Sequence, residues 1–383
     1  MAALPTEVFL HIGTYLAPLD QETLIRTFSH LAPLFTWRQF ESTDGNGDTI
    51  LHLQARTRRR GPKIGPDYRK GPSFLSLLTS NPGSYLHPQN HAGATPLMAA
   101  TRAHNLPFMR LLLERDPGGV NITDKEGATA LWHAIFTLNS EGIALLLQQP
   151  LINANHRMGV VDLTWEDKEI EVTPLIWALS GGLGAYKVVA PFLAHSAIDL
   201  TCVDGNGRNP LMLAVMSGDK DDRVGRILER RRLALTTFPP GSRDDPAPQP
   251  VPGNFDINAI DRGGETALQI AAWEGAAESI KLILSQEGVE ADMANLLHRA
   301  IYHHAIEAIL AHGGVDVDHL DQGGRSALSN AVTRDDCESA RVLLRYGARP
   351  DLQHSDGYTP ISRAAMAMQA DMVELLERAI GII

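Results

Sequence analysis

Lys125-Glu126-Gly127-Ala128-Thr129-Ala130-Leu131-Trp132-His133-Ala134 is a line the chain writes more than once. It returns as Gly93-Ala94-Thr95-Pro96-Leu97, Gly207-Arg208-Asn209-Pro210-Leu211, Gly264-Glu265-Thr266-Ala267-Leu268, Gly324-Arg325-Ser326-Ala327-Leu328 and Gly357-Tyr358-Thr359-Pro360-Ile361. Weaker copies begin at Gly47, at Glu171 (Thr173-Pro174-Leu175) and at Met293 (Leu296-Leu297-His298). Successive anchors are 46, 34, 44, 36, 57, 29, 31 and 33 residues apart, so the short spacings set a period near 33 and the long ones mark insertions. An apolar triplet keeps time with the anchor: Leu111-Leu112-Leu113, Leu145-Leu146-Leu147, Leu282-Ile283-Leu284 and Val342-Leu343-Leu344.

The residue types explain the recurrence. Aspartate and glycine ahead of the threonine make a tight turn, with glycine taking a positive φ. Thr129, Thr266 or Thr359 N-caps the helix that follows, and Pro96, Pro174, Pro210 or Pro360 sits at its first turn, where a missing N–H costs nothing. Alanines such as Ala134, Ala214, Ala271 and Ala331 keep this first helix thin, and the Leu-rich second helix buries the wider face. Short extended pieces, Val120-Asn121-Ile122, Phe255-Asp256-Ile257-Asn258 and Val315-Asp316-Val317-Asp318, lead into the next turn.

These lines resemble the ankyrin repeat, Gly-x-Thr-Pro-Leu-His-x-Ala at a period near 33. The resemblance runs over residues 41–383 and implies an all-α solenoid of about nine stacked helix–turn–helix units with short β-hairpin fingers. The histidine of that signature is read at His52 and His298 and replaced elsewhere, by Met98, Trp132, Ile176, Met212, Gln269, Ser329 and Ser362.

Residues 1–40 read as a helical hairpin. Leu4-Pro5-Thr6-Glu7-Val8-Phe9-Leu10-His11-Ile12-Gly13-Thr14-Tyr15-Leu16 looks like the start of an F-box, which docks on the adaptor subunit of a cullin–RING ubiquitin ligase. That resemblance implies adaptor contacts at Leu4, Pro5, Val8, Ile12 and Leu16. The alternative is a cap over the end of the apolar stack, which a solenoid requires.

Three insertions break the array, near residues 56–72, 157–171 and 234–254. The first carries Arg58, Arg59, Arg60 and Lys63, a basic patch suited to nuclear import or phosphate binding, or simply a solvated loop. The second, Met158–Val172, alternates apolar and polar residues and predicts a β-hairpin. The third is proline-rich and predicts an exposed loop.

The net charge of −11 argues against general nucleic-acid binding, and two cysteines, Cys202 and Cys337, are too few for a disulfide scaffold. No apolar run approaches the roughly 18–20 residues that cross a bilayer. The expected location is cytoplasmic, nuclear or both. No Walker loop, His-Glu-x-x-His, Gly-x-Ser-x-Gly or zinc spacing is present, and no cofactor is implied.

The resemblance implies a protein partner on the concave face, built from finger tips and first-helix ends. Counting nine residues past each anchor gives Arg56, Arg102, Phe136, Ser180, Met216, Trp273, Tyr302, Thr333 and Met366, with Glu274, His303, Arg325 and Arg334 beside them. Aromatics, Met and Arg are the common anchors of protein interfaces, although the same rings could be wedged between repeats. The competing class is an enzyme or small-molecule binder with its pocket in that groove, for which His298, His303 and His304 near Tyr302 are the candidate side chains.

Overall fold

The computed structural model describes residues 43–56, 86–161, 169–180, 186–218, 222–237 and 254–381. The N-terminal candidates Leu4, Pro5, Val8, Ile12 and Leu16 and the basic patch Arg58, Arg59, Arg60 and Lys63 lie outside these residues. The chain divides into two compact units, residues 1–197 and 198–383.

In the first unit the helices are α1 (Ile50–Arg56), α2 (Pro96–Arg102), α3 (Leu106–Arg115), α4 (Ala130–Phe136), α5 (Ser140–Leu147), α6 (Pro174–Ser180) and α7 (Tyr186–Ala194). The first helices α1, α2, α4 and α6 pack on one another in series, and the second helices α3, α5 and α7 form a parallel row. The second unit repeats the plan with α8 (Pro210–Met216), α9 (Arg223–Thr237), α10 (Ala267–Glu274), α11 (Ala277–Leu284), α12 (Met293–Arg299), α13 (His303–His312), α14 (Ala327–Thr333), α15 (Cys337–Arg345), α16 (Pro360–Met366) and α17 (Ala370–Ile380). Its first helices (α8, α10, α12, α14, α16) and second helices (α9, α11, α13, α15, α17) again make two rows. The architecture is the stack of helix–turn–helix units expected.

Sequence chemistry explains why each short helix starts where it does. Thr95, Thr266 and Thr359 close capping boxes, and Asn209 and Ser326 accept from Met212 N and Ser329 N. Thr129 occupies the N-cap without a side-chain bond to its helix. Ahead of the caps, one oxygen of Asp44, Asn90, Asp124, Asp204, Asp261 or Asp321 accepts two backbone N–H groups, two and four residues on. Adjacent turns are then tied by their backbones: His91 N–H donates to Asn46 O and Lys125 N–H to Ala92 O in one unit, Arg262 N–H to Asn206 O in the other.

The fingers are therefore turns. Among the described residues outside the insertion, pairing amounts to single bridges, Ile260 with Thr266 and Leu320 with Ser326. The stretch expected to be extended at Val120-Asn121-Ile122 is instead entered by a 3-10 turn, Pro117–Asn121, capped by Asp116. True strands occur at β1 (Met158–Val161) and β2 (Glu169–Val172), antiparallel with Met158 opposite Val172, where the alternation predicts a hairpin.

One device was invisible in the repeat pattern. Between first and second helix the chain takes one residue at positive φ: His104, Leu138, Gly275, Asp335 or Met368. In three of these turns, those of His104, Leu138 and Met368, the next residue links neighbouring repeats. Asn139 caps α5 through its oxygen (Gly142 N, 2.8 Å) while its amide nitrogen donates to Thr101 O at the end of α2 (2.9 Å). Asn105 likewise caps α3 and donates to Ala55 O (3.2 Å), and Gln369 donates to Val332 O (3.0 Å). A second set ties the outer edge, with Asn121 Nδ2 donating to Leu151 O (2.6 Å) and Asn258 Nδ2 to Gly288 O (2.7 Å).

Asn139 is buried, so its removal takes from Thr101 O the donor that crosses between repeats, leaving it the His104 N–H of its own turn, and leaves α5 without its cap. Asn139→Ala should cost about 2–3 kcal/mol in urea denaturation. Asn139→Asp keeps a capping oxygen but loses the donor, and should also destabilise. Wild-type stability in Asn139→Asp would show that the cross-repeat bond contributes nothing.

Candidate functional site

Within each unit the first helices end in a row. Taken from the cap outward, the positions matching Trp273 are Arg102, Phe136, Ser180, Met216, Arg299, Thr333 and Met366. Trp273 is 55% exposed, Met366 66%, Phe136 44% and Met216 39%. Glu274, His303 and Arg334 are exposed and Arg325 is half-buried.

Tyr302 needs a correction. Counting from Met293 puts it at a first-helix end, sharing a face with His298. The cap of α12 is Asp292, ahead of that anchor, and the helix stops at Arg299 with Ala300 extended. The true equivalent of Trp273 is Arg299, and Tyr302 is the N-cap residue of α13. By the same shift Asn295, not His298, stands where the signature histidine would be, since Asp292 accepts from Asn295 N.

The misplacement in sequence nevertheless lands the ring beside the Trp273 turn. Gly275, at φ +75, caps α10, and a Cβ built there would lie 2.5 Å from Tyr302 Cδ2. The ring thus lies against the backbone two residues past Trp273, stacks on His304 (centroids 5.7 Å, 19° between planes) and stays 47% exposed. His304 meets His303 edge-on at 4.9 Å. Arg299 is held by Glu265 at 2.5 Å. Among the described residues, neither the Trp273 indole nor the Glu274 carboxylate has a hydrogen-bond or ion-pair partner.

The first unit presents a different surface. Phe136 leans on fully buried Trp132 (5.6 Å) and meets Trp177 edge to face (5.9 Å, 89°), while Trp132 Nε1 donates to His156 O (2.9 Å). Phe136 is thus both exposed and supported by packing.

Four of the histidines are committed to structure. His52 Nδ1 accepts the Thr49 N–H (3.1 Å), which leaves Nε2 to donate to Ala94 O of the next repeat (2.8 Å). His133 Nε2 reaches Asp124 Oδ2 at 2.8 Å, and burial nevertheless pushes its imidazole below the ordinary value, with Asp124 opposing. His298 donates to His319 O (3.0 Å), and His354 lies against Ser326 Oγ (3.2 Å). Burial is the first cause of a lowered value in His52, His298 and His354 as well. His298 therefore does not converge with Tyr302, His303 and His304 into an acid–base site. Among the described residues no group of three or more His, Cys, Asp or Glu side chains is placed to hold a metal ion, and no helix is long and apolar enough to cross a membrane.

Comparison with known proteins agrees with this geometry. The family model described as ankyrin repeats (3 copies) matches residues 68–158 and 297–382. The chain is 28% identical over 130 residues to human transient receptor potential cation channel subfamily A member 1, covering 32% of this chain and 12% of that protein. It is 28% identical over 178 residues to ankyrin repeat domain-containing protein SAT10 of Stachybotrys chartarum, covering 44% and 9%. It is 26% identical over 212 residues to mouse neurogenic locus notch homolog protein 1, covering 46% and 8%. The match thus spans roughly a tenth of each relative's length. The chain carries ankyrin repeats.

Two outcomes follow. Trp132→Ala should cost about 3–5 kcal/mol, as for a buried tryptophan, and Trp273→Ala within about 1 kcal/mol, as for a surface position. Equal losses in chemical denaturation would show that Trp273 is wedged after all. The four lowered imidazoles bind a proton more weakly folded than unfolded, so the stability they carry is present above the ordinary value of 6.5 and lost as pH falls below it. The unfolding midpoint should therefore drop on acidification from pH 7 to about 5, and His52→Gln should flatten that slope. A midpoint independent of pH in this window would contradict the assignment.

Proposed function

We propose that the chain is a protein-recognition scaffold whose partner seats on the first-helix ends of the second unit, at Trp273, Glu274 and Met366 with Tyr302 beside them, the first unit offering Phe136 at an equivalent position of its own. Ankyrin repeats in general serve protein interaction, and the observation that carries the reading is chemical. Large apolar side chains cost free energy when left in water, yet the first-helix ends keep Phe136 exposed in one unit and Met216, Trp273 and Met366 in the other, with Tyr302 exposed beside Trp273. Aromatic and Met side chains on rigid helices are what interface hot spots are made of. His303, Arg325 and Arg334 supply polar groups around them.

A narrower reading rests on the Leu4-Pro5 opening alone. There, Leu4, Pro5, Val8, Ile12 and Leu16 tether the array to the adaptor subunit of a cullin–RING ubiquitin ligase, and the helix-end row presents a bound protein for modification. The basic patch Arg58, Arg59, Arg60 and Lys63 fits a chain that enters the nucleus as well as the cytoplasm.

Affinity capture from cells with mass spectrometry tests both levels in one experiment. A partner should be lost from Trp273→Ala and from Met366→Ala, each at a cost of about 2 kcal/mol in binding, while unfolding curves stay near wild type. Capture unchanged by either substitution would contradict the helix-end reading. The adaptor subunit should be captured by the wild-type chain and lost from Leu4→Ala with Pro5→Ala. Its absence from the wild-type capture would remove the ligase reading and leave the scaffold reading intact.

A further inference from the structure

The charge of the chain is unevenly placed. Residues 198–383 hold 18 Lys and Arg against 28 Asp and Glu, whereas residues 1–197 hold 16 against 17. Nearly all of the net −11 therefore belongs to the second unit, and that unit's field draws in cations and repels anions. Within it, several acids are already paired or bonded. Glu265 holds Arg299, Asp321 accepts the N–H groups of its own turn, and Glu307 pairs with Arg345. Glu274 is left with no partner, next to an indole that also has none.

We propose that Trp273, Glu274 and Tyr302 form a receptor ledge for a Lys- or Arg-rich segment of the partner protein, one cationic side chain lying against the rings with Glu274 as its counter-ion. The proposal rests on the helix-end reading above and gives that partner its chemistry. A ring face attracts a cation through its quadrupole, most strongly for tryptophan, and a carboxylate beside it adds direct charge attraction. Tyr302 is held in place for this use. Its ring is fixed between Gly275, where no side chain intervenes, and His304, on which it stacks. Gly275 serves twice: it takes the positive φ that ends α10 without strain, and its lack of a side chain leaves room for the ring.

Isothermal titration of the full chain tests this with three short peptides of one design: alternating Arg and Ser, the same peptide with citrulline for Arg, and alternating Glu and Ser. The Arg peptide should bind saturably and weaken with added salt, and the other two should not bind. Affinity should fall about tenfold in Trp273→Ala and about threefold in Glu274→Gln, and change less than about twofold in Trp273→Phe. Unfolding curves of Trp273→Phe and Glu274→Gln confirm that the fold is intact. If the citrulline peptide binds as well and depends equally on Trp273, the cationic assignment is overturned while the helix-end surface stands. If the Arg peptide binds wild type, Trp273→Ala and Glu274→Gln alike, the attraction is diffuse and the ledge is not its receptor. If the Arg peptide does not bind, the ledge assignment fails outright.

Discussion

A helix of seven residues does not hold itself together in water. Nucleating the first turn costs more than two turns of hydrogen bonds return, and isolated helices shorter than about 12 residues are marginal. Yet α2, α4, α8, α14 and α16 are each seven residues long. Everything else in this protein answers that constraint. The ends of each helix must be satisfied by side chains, and one face of each must be buried by its neighbours. Caps from Thr95, Asn209, Ser326 and Thr359 deal with the N-termini, and the amides of Asn105, Asn139 and Gln369 reach the far carbonyls of the preceding repeat. The alanines of the first helices, fully buried at Ala134, Ala214, Ala271 and Ala331, let the stack close.

The same constraint explains how far the sequence could be read. The turn and cap residues are chemically dictated, so they recur and can be counted. The positive-φ position is dictated by geometry, and His104, Leu138, Gly275, Asp335 and Met368 share no chemistry that a motif search would find. Their strain is tolerated because the following residue and the packed helices fix the turn from both sides. Tyr302 shows the cost of anchoring on a degenerate copy. The α12 repeat lacks the glycine line, its cap Asp292 precedes the presumed anchor, and the chain leaves the helix at an extended Ala300 instead of a positive-φ turn. An offset counted from Met293 therefore overshoots onto the second helix. The Asp and Asn side chains of the turns were legible as turn formers, but the cross-repeat direction of Asn121 and Asn139 depends on the neighbouring repeat and could not be.

Division of labour follows. The polar groups that hold the stack are buried or doubly bonded and have little capacity left for a ligand. His52, His133, His298 and His354 belong to this class. Trp273, Glu274, Met216 and Met366 stand in the last turn of their first helices and stay exposed, and under the proposed reading these are the groups left for a partner. Phe136 is intermediate, since Trp132 and Trp177 support it from below.

The central claim is this separation of stacking groups from recognising groups, and hydrogen exchange on the free and partner-bound chain tests it most directly. Binding should slow exchange at the C-terminal ends of α10, α14 and α16 and at the turn through Gly275 to Tyr302. The amides bonded to Asp124, Asp204, Asp261 and Asp321 should already be slow in the free chain and change little. Protection confined to the second helices α11, α13, α15 and α17, with the first-helix ends unchanged, would contradict the account.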